Sequence, residues 1–260
     1  MNVCRSSWCP TDVRDVLELH QCSSRQKLGV RNRPLVAVGH SMGGSAALLA
    51  ELHQPGTFDH IVSFEPVVFP FETLPPVDVR QSNPLTVKAR QRKTRFESVA
   101  QVCEEYAAHP FFQSWDKESL EAYIFGAFMR DVTSGLRDAN PWESARNVPE
   151  TELRVKSLLD RDEPVVLRCQ PEWEAQVYAG WHELWNHLER IHLPVNVITG
   201  EDSVMFVPFT SRSSAEMFRT VANRLPAANF VALQDCDHFM VLQQVEAVSR
   251  EIHEALKQYL

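Results

Sequence analysis

The chain has 260 residues, 44% of them hydrophobic and 23% charged. That is the balance of an ordinary globular protein, with room for one or two domains and a core that needs no disulfide or metal staples. A formal charge of −8 argues against nucleic-acid binding driven by phosphate neutralisation, no apolar run reaches the roughly 18 residues of a membrane span, and the first residues lack the apolar core of a secretory signal.

Residues 11–25 read as a helix, with Thr11 or Asp12 as N-cap and Val13, Val16, Leu17 and Leu19 as an imperfect apolar stripe. The run from Leu35 to Gly39 reads as a buried parallel strand. It leads into a strongly helical stretch around Ser45–Leu52, which Pro55 and Gly56 stop. A second strand is expected over 61–65. Prolines 70, 75, 76 and 84 then open a differently textured region, with helices expected over 85–108, 116–130 and 171–191. Residues 131–164 have weak periodicity and read as loop with short helix. After Pro194 the strand pattern returns at 195–200, followed by a helix over 212–224, a strand at 229–233 and a last helix over 242–259. Strand and helix alternate at both ends, which predicts a mostly parallel sheet flanked by helices. The middle reads as an inserted helical cap. The predicted division is 1–69 with 192–260 as the α/β core and 70–191 as the cap.

Six scattered cysteines, with no C-x-x-C pair, read as reduced intracellular thiols. His182, His187 and His192 recur every five residues, a spacing that fans them around a helix instead of gathering them on one face, so no metal site is expected there. No phosphate-binding glycine loop or flavin fingerprint is present, and no cofactor is implied. Lys88, Arg90, Arg92, Lys93 and Arg95 form a basic run that reads as a solvated helix face. Phe111, Phe112, Trp115, Tyr123, Phe125 and Phe128 read chiefly as packing, with an apolar acyl pocket as the functional reading.

The chemistry is concentrated in Gly39-His40-Ser41-Met42-Gly43-Gly44. It matches G-x-S-x-G between a strand and a helix, the context of a nucleophile elbow. Glycines two before and two after Ser41 remove side chains where strand and helix approach. Ser41 is then exposed at the strand end, and the Met42 amide opens the helix towards an oxyanion. His40 is the variable residue of the elbow, either a pocket wall or a participant. A serine nucleophile needs a base, and His238 follows the last strand, as the order Ser, acid, His requires. The acid is open between Glu65, 24 residues beyond Ser41, Asp202 and its neighbour Glu201. All three stand at C-terminal strand ends.

These residues resemble the α/β-hydrolase superfamily, and within it the fungal hydrolases that include toxin-biosynthesis and peroxisomal-lipase members. The resemblance covers nearly all of residues 8–260. It is carried by the elbow, Pro55-Gly56-Thr57-Phe58, Phe64-Glu65-Pro66-Val67-Val68, Arg95-Phe96-Glu97-Ser98, the stretches 110–115 and 167–175, and Gly200-Glu201-Asp202-Ser203. Related dehalogenase-type hydrolases place their acid after the strand that Glu65 ends, so the resemblance favours Glu65. Two positions depart from the pattern: Val204 stands where many relatives have Asp, and Asp237 where they have Gly before the histidine. Only 40 residues precede Ser41, fewer than in relatives, and no His-Gly pair precedes it to give a second oxyanion amide.

The resemblance therefore implies a partial α/β-hydrolase fold lacking its N-terminal strands, with the nucleophile strand left at an uncovered sheet edge. The expected activity is hydrolysis of a carboxylic ester or thioester of an apolar small molecule, with a role in secondary metabolism. The alternative is an inactive remnant that only binds. The expected location is cytoplasmic; the alternative that the resemblance implies is peroxisomal, against which the terminal Gln258-Tyr259-Leu260 is not a Ser-Lys-Leu address.

Overall fold

A computed structural model describes residues 34–68, 81–82, 84–133, 140–145, 148–149, 162–179, 184–204 and 213–259. The helix predicted over 11–25 lies outside them. The chain divides into two compact units, Met1–Pro75 with Gly180–Leu260, and Pro76–Ala179. Among the described residues seven strands occur in chain order: β1 Val36–His40, β2 His60–Phe64, β3 Arg95–Phe96, β4 Phe128–Arg130, β5 Val165–Leu167, β6 Val195–Gly200 and β7 Ala228–Leu233.

In the first unit β1, β2, β6 and β7 form one sheet in that order, with every pairing parallel. Side chains alternate across it, as strand geometry demands. Ile61, Val195 and Val197 face a core built with Leu48 and Leu49 of the helix Met42–His53 and Phe218 and Val221 of the helix Ser214–Arg224. Val62, Phe64 and Ile198 face the opposite core, with Met240 and Val248. The sheet is thus sandwiched between helices, the predicted α/β arrangement. In the described sheet β1 is an end strand, and Val38 on it is 50% exposed.

Two local devices fix the entry to β2. The buried Glu51 carboxylate, at the end of the first helix, accepts from the Gly56 and Phe58 amides at 2.8 and 3.1 Å. It thereby satisfies the backbone of the turn that Pro55 and Gly56 make, with Gly56 at φ 82°. His60, also buried, bonds Asn196 Oδ1 through Nε2 at 2.7 Å, and its Nδ1 lies 3.1 Å from Gln258 Nε2. A C-terminal side chain is in this way tied to the head of β2.

The second unit differs from its sequence reading. The continuous helix predicted over 85–108 is two helices, Pro84–Arg90 and Val99–Ala108. Between them β3 pairs with β5, and Ser98 Oγ accepts from the Gln101 amide to start the second helix. The helix predicted over 116–130 stops at Ala127, and β4 continues the chain. Together β3, β5 and β4 make an antiparallel sheet in that order which the sequence reading does not contain. Strands of two or three residues are too short to show a period of two. Phe96, Val99, Val102, Ile124, Phe128, Val165 and Leu167 form the core under it. The aromatic run packs largely on itself: Tyr106 stacks on Phe112 at 4.5 Å, and Trp115 meets Phe112 and Tyr123 edge-on. Four of the five residues of the basic run are paired, Arg90 with Glu172, Arg92 with Glu174, Lys93 with Glu105 and Arg95 with Asp131. No helix among the described residues is long and apolar enough to cross a membrane.

Candidate active site

Parallel pairing brings the C-terminal ends of the four strands of the first sheet to one edge. His40 stands opposite Phe64, Phe64 opposite Ile198, and Ile198 opposite Val231. Ser41, Glu65 and the segment after β7 therefore meet without any of them being near another in sequence.

Ser41 joins β1 to its helix at φ 53°, ψ −118°, a backbone conformation unfavourable for a residue with a Cβ. It is held there by its amide, which donates to the Phe64 carbonyl at 2.8 Å. The glycine requirement is only partly what the motif suggests. A Cβ on Gly39 would lie 2.6 Å from the Gly43 and Gly44 backbone, and one on Gly44 would run into Ser63 Oγ. Gly43, the second glycine of G-x-S-x-G, would meet nothing within 4 Å. The close approach of strand and helix is made at Gly39 and Gly44, which corrects the reading that the glycine two after Ser41 is sterically required. Met42 is the first residue of the helix, so its amide is one of the four that a helix leaves without an internal acceptor.

Glu65 follows β2 at φ 43°, with its amide on the Ile198 carbonyl at 2.8 Å. Its carboxylate is fully buried and every acceptor direction is used. Oε1 accepts from Thr199 Oγ1 at 2.7 Å and the Gly200 amide at 3.0 Å; Oε2 accepts from Ser203 Oγ at 2.8 Å and His238 Nδ1 at 2.7 Å. Burial by itself would raise the Glu65 pKa. The hydrogen bond and charge of His238, with the Thr199 and Gly200 donors, outweigh that and hold the carboxyl below its ordinary value.

His238 is 6% exposed. Because a carboxylate only accepts, Nδ1 carries a proton towards Glu65, and in the neutral ring Nε2 is the acceptor, 3.2 Å from Ser41 Oγ. Its loop comes close because Gly200 has no side chain. A Cβ there would collide with the Cys236 carbonyl and stand 2.7 Å from that of Asp237. Of the carboxylates left open by the sequence, only Glu65 reaches His238. Asp202 and Glu201 are exposed, and their amides donate to the Cys236 and Leu233 carbonyls at 3.0 and 2.9 Å. Burial, with the negative charge of Glu65 and the neighbouring aspartates, pushes the Cys236 thiol up to about 11, so it stays protonated.

The sequence reading missed the donors around Glu65. Ser203 had a signal, since it closes the Gly200-Glu201-Asp202-Ser203 segment after β6. Thr199, inside an apolar strand, had none. The sequence leaves the role of His40 open, and the structure places its Nε2 2.7 Å from the His238 carbonyl.

A parallel sheet between helices, with a strand–serine–helix elbow facing a histidine and a carboxylate, defines the hydrolase class of α/β proteins. The chain belongs to the alpha/beta hydrolase family, whose model matches residues 5–251. No curated protein matches it. Its fold is similar to that of the peroxisomal alpha-beta-hydrolase Lpx1 from Saccharomyces cerevisiae, with 17% identity and a TM-score of 0.63 over 95% of this chain and 58% of that one. It is also similar to E-2-(acetamidomethylene)succinate hydrolase, with 14% identity and a TM-score of 0.60 over 93% of this chain and 73% of that one. MenH from S. aureus follows with 13% identity and a TM-score of 0.51 over 94% and 76%. The chain thus spans 58% of the length of Lpx1.

Proposed function

We propose that the protein is a cytoplasmic serine hydrolase that cleaves a carboxylic ester or thioester. The observation that carries this is the unbroken line from Ser41 Oγ to His238 Nε2 at 3.2 Å and from His238 Nδ1 to Glu65 Oε2 at 2.7 Å. It is the orientation a nucleophile, general base and buried acid require. Ser41 Oγ adds to the carbonyl carbon while His238 Nε2 takes its proton. The oxyanion is met by the Met42 amide. Collapse of the adduct expels the alcohol or thiol, which takes the proton back from His238, and leaves an acyl group on Ser41. Water, deprotonated by the same Nε2, then releases the carboxylate and restores Ser41. Glu65 stays ionised throughout and stabilises the imidazolium. The apolar character of the substrate, and a place in secondary metabolism, are carried over from the family resemblance.

Treatment with a fluorophosphonate, followed by intact mass, tests the reading. A single adduct that disappears in Ser41→Ala is the expected result. A folded chain that takes no adduct overturns it in favour of a protein that only binds.

A further inference from the structure

We infer that His40 is a positioning residue for the base: it clamps the main chain of His238 through its ring while remaining uncharged itself. The inference rests on the proposal that Ser41, His238 and Glu65 act together. His40 ends β1, directly before Ser41, and its Nε2 lies 2.7 Å from the His238 carbonyl oxygen. A carbonyl only accepts, so Nε2 carries a proton, and in the uncharged ring Nδ1 holds the lone pair. The two imidazoles lie 4.7 Å apart between centroids at 42°, and Phe239 stands edge-on to both at 6.3 and 5.1 Å.

Three anchors then locate the base. Glu65 fixes the far side of its ring at Nδ1, Phe239 packs against its ring, and His40 fixes the peptide from which the side chain springs. Because His40 and Ser41 are consecutive, one side chain sets the distance between the strand that carries the nucleophile and the loop that carries the base. Neutrality matters to the same task. His238 becomes an imidazolium during the reaction, and a second positive ring at this separation would oppose it. Burial first, and repulsion by His238 second, lower the His40 pKa to about 4, so it is uncharged wherever a histidine base functions.

The test compares the purified chain with His40→Phe and His40→Met, which remove the donor, and His40→Gln, whose Nε2 amide reaches the same place. Fluorophosphonate labelling of Ser41 and hydrolysis of p-nitrophenyl acetate are measured on each, with thermal midpoints as a control. The donor-free variants are expected to lose about ten- to a hundredfold in labelling rate and kcat, the scale of an ångström-level misplacement. KM is expected to change less than about threefold, because losing an interaction that acts only in the transition state lowers kcat and kcat/KM together. His40→Gln is expected to recover most of the rate. Wild-type labelling rates in a donor-free variant overturn the inference, as does a His40→Gln rate no better than that of the donor-free chains. If the wild type itself fails to label at Ser41, it is the serine-hydrolase reading that falls, and the inference with it.

Discussion

Ser203 Oγ donates to the same Glu65 oxygen that receives His238 Nδ1, at 2.8 Å beside 2.7 Å. The turn after β6 thus helps to hold the Glu65 carboxylate in place. Removing that hydroxyl leaves the buried carboxylate one donor short. Ser203→Ala is expected to cost about 1.5–3 kcal/mol, the range for a hydrogen bond to a charged group, read as a lower midpoint in urea unfolding at unchanged slope.

Two of the three open carboxylates are separated by paired substitutions. Glu65→Gln removes the group that sets the His238 tautomer, and the rate of ester hydrolysis is expected to fall roughly 10³–10⁴-fold. Asp202→Asn alters an exposed side chain and is expected to leave the rate within about twofold, on the footing of surface substitutions generally. A large loss in Asp202→Asn with little loss in Glu65→Gln would reverse the assignment.

Acid stability carries two signatures that do not depend on catalysis. The pKa of His40 falls from 6.5 to about 4 in the folded chain, so between those values the unfolded chain binds the extra proton. Stability is then full above pH 6.5 and declines as pH falls towards 4, by up to on the order of 3 kcal/mol. Glu65, held below its ordinary 4.5, adds stability above that value that is lost as pH falls through its lowered pKa. Thermal midpoints taken from pH 8 down to 4 are expected to drop below pH 6.5 in the wild type, and His40→Gln is expected to show a flatter curve across that window. Equal slopes in the two chains would contradict the shift.

The elbow makes a steric prediction. Gly43→Ala places a methyl in open space on an exposed helical residue and is expected to be neutral or to stabilise by about 0.4–1 kcal/mol. Gly39→Ala and Gly44→Ala put a Cβ into backbone or Ser63 Oγ and are expected to cost about 1–3 kcal/mol or more, as overpacking does. Circular-dichroism melts of the three variants decide it. A destabilised Gly43→Ala would mean that the motif glycine acts through something other than space.

Ser41, Met42 and the helix behind them were legible in the sequence because strand, turn and helix are contiguous, and local residue types report local geometry. The alternation of apolar runs with helical stretches likewise disclosed the parallel sheet and its helices, and chain order singled out, among ten histidines, His238, whose Nε2 lies 3.2 Å from Ser41 Oγ. Which carboxylate meets His238 was not legible. Glu65, Glu201 and Asp202 all occupy C-terminal strand ends, and no spacing along the chain says which carboxylate faces a ring carried by the loop after β7. The register of β2 against β6 decides that, by bringing Thr199 and Gly200 alongside Glu65 and leaving Asp202 exposed. The hydrogen bond from His40 to the His238 carbonyl spans 198 positions, and the sheet of β3, β5 and β4 is made of two- and three-residue strands. Such contacts arise only when distant segments pack, because their stabilisation lies in the pairing and leaves no periodic trace in either partner.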